Sequence, residues 1–263
     1  MRPAMKLRLP LATVVVVVLA ASAAAAPSGH NEGYVPVAAK AAGKFNSSWT
    51  TDLWIYRQSA TTLHLWYNLS GQDNANRQSV VVPLTQAVTY LPDVVGTLFN
   101  SPGTKGSVHY LADGQVVVVS RTWTPGKAGG TYGQVAAGIP VAMASPASAG
   151  PGGSLRMLAN QNPGFRANLG LINVSPLPVT VTTEVFTADG QAAFGTSTLT
   201  TSLLPYDMRQ LDDIFAALTP GNRQGLVIRV SVSQGDGAVL AYLSEVDDTT
   251  NSGSYQEAFR FSY

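Results

Sequence analysis

Apolar and polar residues alternate along most of this 263-residue chain, in short runs separated by turn-forming residues. Such alternation places every second side chain on one face of a β-strand. It predicts strands at 34–39, 53–56, 63–69, 79–83, 107–111 and 115–123, and a closing segment at 132–139. Asp113-Gly114 reads as a hairpin turn between two of them. Residues 92–99 break the alternation. Pro92 and Asp93 suit the start of one or two helical turns there. A second series of strands follows at 155–158, 167–173, 179–187, 196–202, 225–233, 238–246 and 255–262. Its helical segment is predicted at 211–218, and Asp189-Gly190 and Gly235-Asp236-Gly237 mark its turns.

The two series match. Thr51-Asp52-Leu53-Trp54-Ile55-Tyr56 returns as Ala167-Asn168-Leu169-Gly170-Leu171-Ile172. Leu98-Phe99 returns at the same offset as Ile214-Phe215, and Gly130-Thr131-Tyr132 at a slightly larger one as Gly253-Ser254-Tyr255. Matched landmarks in one order indicate a tandem duplication. The expected division is a leader at 1–25, one repeat at 34–140, a linker at 141–153 rich in small residues, Pro and Gly, and a second repeat at 154–263. Seven or so short strands per repeat, with no alternation of strand and long helix, indicate an all-β fold of two antiparallel β-sandwiches, each with a short helical crossover.

Composition adds a compartment. Arg2, Lys6 and Arg8 precede an apolar run with unbroken valine at 14–18, and Ala21-Ser22-Ala23 offers a cleavage site, the pattern of a signal peptide. Contact with a membrane is then transient, and the destination is the periplasm, the cell surface or the medium. The chain has no cysteine, which removes disulfides and thiolate chemistry. Lys and Arg number 16 against 15 Asp and Glu, and three of the basic residues fall in the leader. So balanced a chain lacks the basic footprint of a nucleic-acid binder.

Candidate chemistry is sparse. The three histidines, His30, His64 and His109, show no metal-ligand spacing, and no nucleophile or phosphate-loop motif is present. No cofactor is expected, and the chain is read as non-catalytic. Asp212-Asp213 suits a helix start. Asp236, Asp247 and Asp248 suit solvated turns or, alternatively, calcium. Asn46, Asn68 and Asn173 each begin an N-x-Ser triplet. Strand alternation places Trp54, Tyr56, His64 and Trp66 on the outside of the first repeat, where the second carries smaller or more polar residues. With their strands taken as hairpin neighbours, the four rings form one aromatic platform for an extracellular glycan or protein. The alternative is a patch covered by the second repeat, by the leader or by another molecule. Phe259, Phe261 and Tyr263 alternate at the end of the chain, as in an outer-membrane barrel or in a last sandwich strand.

The stretch Gly164-Phe165-Arg166-Ala167-Asn168-Leu169-Gly170-Leu171-Ile172-Asn173 resembles the GFRTNLGLVN signature of exported bacterial proteins built from tandem immunoglobulin-like or fibronectin-III-like sandwiches. The resemblance implies export and a sandwich fold, and carries no catalytic residue. The resulting expectation is a non-catalytic binding or structural module outside the cell. A small extracellular hydrolase and an outer-membrane barrel are the alternatives.

Overall fold

The computed structural model describes residues 30–126, 129–149, 153–161, 164–193, 198–216 and 223–260. The expected leader, with Phe261 and Tyr263, lies outside them. The first strands in chain order are β1 (His30–Ala42), β2 (Ser48–Arg57), β3 (Thr61–Leu69), β4 (Ser79–Leu84), β5 (Val88–Leu91), β6 (Thr104–Pro125), β7 (Thr131–Ala137), β8 (Ile139–Pro140) and β9 (Ser145–Pro146). They are followed by β10 (Leu155–Gln161), β11 (Phe165–Asn173), β12 (Val179–Phe186), β13 (Thr198–Leu203), β14 (Met208–Leu211), β15 (Arg223–Gln234), β16 (Ala238–Asp247), β17 (Gly253–Glu257) and β18 (Phe259–Arg260).

The fold is all-β and antiparallel. In residues 30–140, β4, β3, the first part of β6 and β1 form one layer, and β5, β2, the second part of β6 and β7 form the other. The same neighbours recur later. β13, β12, β15, β10 and β18 make one sheet, and β14, β11, β16 and β17 the facing one. Alternation explains the packing. Leu53, Ile55, Leu63, Leu65, Val108 and Val118 point between the first pair of layers, and Leu169, Leu171, Val181, Ile228, Val230 and Leu243 between the second. These interiors are apolar, whereas a transmembrane barrel of this kind carries its polar side chains inside. A third cluster joins Tyr34, Val37 and Ile139 to Ile172, Met208, Leu240 and Tyr242.

Three expectations are corrected. Asp113-Gly114 is not a hairpin turn, because β6 runs through it. Glu32 pairs with Leu111 and His30 with Val116, so β6 bulges there and passes from one layer to the other. In residues 223–247 the equivalent step is a true turn at Gly235-Asp236-Gly237, with Gly235 at φ +88°. The proposed linker takes part in a sheet, since Ser145 and Pro146 pair with Val239 and Ala238. The second helix is not formed at 211–216. Leu211 ends β14 and residues 212–216 fold as consecutive turns, while 217 and 218 lie outside the described residues. Val94–Leu98 does form one helical turn.

A shared device explains both crossovers. Asp93 and Asp213 have left-handed backbones, with φ of 45° and 48°. The Asp93 N–H donates to Asp52 Oδ1 at 2.8 Å, and the Asp213 N–H to Asn168 Oδ1 at 3.0 Å. In the first, the Asp93 carboxylate also accepts from Gly96 N–H and caps the turn. Asp213 instead offers its backbone carbonyl to Ala216 N–H, so the reading of Asp212-Asp213 as a helix cap fails with the helix.

Candidate functional site

The platform of four rings divides in two. β2 and β3 are consecutive in sequence but belong to opposite layers. Leu53 and Ile55 enter the core from one side, Leu63 and Leu65 from the other. Their outward neighbours therefore point away from each other. Trp54 and Tyr56 lie on one outer face, His64 and Trp66 on the opposite one.

The His64 and Trp66 face is covered in part by the second half of the chain. Trp66 stacks on His109 at 4.9 Å between ring centroids, and His109 on Tyr34 at 4.7 Å. Arg77 lies 5.9 Å above Trp66 and 3.6 Å above Tyr206. Backbone contacts close the seam. Gly71 N–H donates to Asp207 Oδ1 at 2.6 Å, and Asn74 N–H to Pro205 O at 2.9 Å. The proton positions at His109 follow from its partners. Arg77 Nη2 is 3.1 Å from Nδ1, and a guanidinium only donates. Nδ1 therefore accepts, and Nε2 carries the proton it donates to Glu32 Oε1 at 2.9 Å. Burial, opposed by the bond to Glu32, holds the imidazole pKa below its ordinary value. Burial likewise lowers the Arg77 pKa and raises that of the Tyr34 hydroxyl.

The Trp54 and Tyr56 face is open. Trp54 stacks on Tyr90 at 4.9 Å, and Tyr56 is opposite Val88. Tyr56 is 47% exposed, Val88 52%, Tyr90 49% and Val135 59%. Val117 and Val119, half-buried, fill the space between β2 and β7. At one end Trp123 Nε1 donates to Asp52 Oδ2 at 2.9 Å, which fixes that ring. The result is an apolar strip across four hydrogen-bonded strands, bordered by Arg121 and Asp52 in the row of Val135, with aromatic rings that have few rotatable bonds. Tyr90 and Val88 escaped the sequence reading because β5 has only four residues, although Val88-Thr89-Tyr90-Leu91 does alternate.

A cleft of about 400 Å³ lies where the two halves meet, lined by Trp49, Lys44, Lys105, Gln134, Arg166 and Asp212 among others. Its polar groups are largely engaged with one another or with nearby loops. Arg166 holds Asp248 at 2.5 Å and Asn251 at 3.0 Å, and Ser244 donates to Gln134 at 2.8 Å. Lys105 is 3.8 Å from Asp212. Asp247 accepts the N–H groups of Thr250 and Thr249, which lower its pKa. Among the described residues no group of three or more His, Asp or Glu is placed to hold a metal ion. Asn68 and Asn173 are fully buried and bonded, to Ser107 and to Leu177 and Leu204. Of the three N-x-Ser triplets, only that of Asn46 begins with an exposed asparagine.

Gly170, within the stretch that resembles the exported sandwich proteins, has a packing role. A Cβ there would lie 1.8 Å from Tyr242 Cε1, because that ring lies flat on the β11 backbone. No protein-family model matches this chain, and no curated protein matches it.

Proposed function

We propose that the protein is a non-catalytic binding or structural module that works outside the cytoplasm, at a cell surface or in the surrounding medium. Contact is made through the outer face of β5, β2, β6 and β7, with Trp54, Tyr56 and Tyr90 as its main groups. The observation that carries this reading is the open, apolar and ring-bearing strip on a fully paired sheet. Its backbone is fixed before binding, so little conformational entropy is lost on contact. Ring faces of this kind suit the apolar faces of sugars or of a protein partner. Trp66 serves the seam between the halves instead, through Arg77 and Tyr206, and His64 stacks beside it at 6.0 Å.

Export rests on the leader pattern at 1–25 and on the resemblance at 164–173. A hydrolase is less well supported. Two facing carboxylates would be needed in a pocket. The cleft between the halves is lined by one, Asp212, and a second cleft is lined by Glu245 and Asp247, which are taken up by the backbone N–H groups of Asn160 and of Thr249 and Thr250.

The test is a titration of soluble polysaccharides, peptidoglycan fragments and candidate surface proteins while tryptophan fluorescence is followed. Binding is expected to change the emission of Trp54, and Tyr56→Ala and Tyr90→Ala are expected to weaken it without lowering the melting temperature. A flat response from every ligand tried, by a protein that does not associate with itself, would remove this face as the site of function.

A further inference from the structure

The open face has an equivalent in the second half of the chain, and that one is covered. Pairing registers align the two. Tyr56 is opposite Val88 and Val117, as Ile172 is opposite Met208 and Leu240. Trp54 is opposite Tyr90 and Val119, as Gly170 is opposite Gln210 and Tyr242. Ile172, Met208, Leu240 and Tyr242 are at most 2% exposed, because Tyr34, Val37 and Ile139 of the first half pack on them. This position on the sandwich is therefore already a docking face within the molecule.

The groups that do the covering also have equivalents. Tyr34 pairs with Ile139 and His109, and Arg156 pairs with Phe259 and Arg229 in the same arrangement. Phe259 thus stands where Ile139 stands in the first half, and Leu158 lies two residues beyond Arg156 on the same outward side. Both are large and apolar, with exposures of 51% and 64%. One chain thus presents an uncovered acceptor face and, on another face, exposed apolar equivalents of two covering groups, with Arg156 in the place of Tyr34.

We propose that the partner of the open face is a second copy of this chain, docked head to tail. Phe259 and Leu158 of one copy then seat on Tyr56, Val88, Tyr90 and Val135 of the next, repeating between molecules the contact made within each. The inference rests on the reading of that face as a contact surface and names its occupant. A heterologous contact of this kind leaves a free face at each end and builds an open series.

Sedimentation of the purified protein over a wide concentration range tests it, with Tyr56→Lys and Phe259→Lys as variants and circular dichroism melts as the check on folding. The expected result is a mean mass that rises with concentration past the dimer. Each variant alone is expected to remain a monomer, its association weakened by about tenfold or more. An equimolar mixture of the two variants is expected to form a dimer that grows no further, because each retains one intact surface. A wild-type protein that stays monomeric, or stops at a dimer, overturns the proposal, as does a variant mixture that does not pair. A monomer whose tryptophan emission still responds to a polysaccharide or surface protein overturns the self-docking alone and leaves the binding role standing. If the protein is monomeric and answers no ligand, both readings fall.

Discussion

The outer faces of β5-β2-β6-β7 and β14-β11-β16-β17 hold the same place in the fold and meet opposite fates. In the second, a bulky ring stands on β16 and a glycine on β11. Tyr242 lies across Gly170, the surface is flat, and the first half of the chain packs on it. In the first, the bulk has moved to the neighbouring strand. Trp54 takes the place of Gly170 and Val119 that of Tyr242, and the face is left open. Exchanging a large and a small residue across one cross-strand pair keeps the total apolar bulk similar and changes the relief of the surface. Burial here follows from shape and from what is tethered nearby, since both faces are apolar.

That contrast can be broken most strongly from the covered side. Tyr242 is fully buried and its hydroxyl donates to Gln210 at 3.1 Å. Tyr242→Ala is expected to cost about 3–5 kcal/mol, the range for deleting a buried ring, read from urea denaturation. Gly170→Ala comes next. The added methyl meets the Tyr242 ring, which has little room to retreat, and a loss of about 1–3 kcal/mol is expected. A loss below the error of the denaturation measurement would show that the ring shifts freely and that the covered face is loosely packed.

The seam itself offers a smaller, pH-dependent effect. His109 faces Glu32, Arg77, Tyr34 and Trp66, and its folded pKa lies below that of the unfolded chain. Below about pH 6.5 the unfolded imidazole binds a proton that the folded one resists. Stability is therefore full above that pH and declines as the pH falls toward the folded pKa. The melting temperature is expected to drop between pH 7.5 and 5 more steeply in the wild type than in His109→Gln. The smallest effect belongs to the open face. Tyr56→Ala and Val88→Ala are expected to change stability of the dilute protein by no more than about 0.5 kcal/mol. A larger loss in the monomer would mean that this face is supported by contacts of its own.

The in–out phase of β2 and β3 was legible in the sequence because alternation is local. Leu53, Ile55, Leu63 and Leu65 are all fully buried, and their outward neighbours Trp54, Tyr56, His64 and Trp66 are not. The partner of each strand was not legible, since pairing is set by distant residues. β2 and β3 read as a hairpin from their short connection, yet they face each other across the core. The site suffered for the same reason, as a correct phase with a wrong neighbour merged two separate faces. Asp113-Gly114 misled in a related way. A turn-forming pair marks a change of direction, and here the change is a bulge that carries one strand between layers.

That crossing strand alters how the two halves would bear a load. β6 is laddered to β3 and β1 along its first part and to β2 and β7 along its second, through 22 residues of unbroken strand. Prising its layers apart means tearing a backbone that belongs to both. In the later half, β15 and β16 are separate strands, packed face to face through Ile228, Val230, Ala241 and Leu243 and joined by the turn at Gly235-Asp236-Gly237. The first pair of layers thus shares one continuous backbone, whereas the later pair is joined at that place by side-chain packing and a turn.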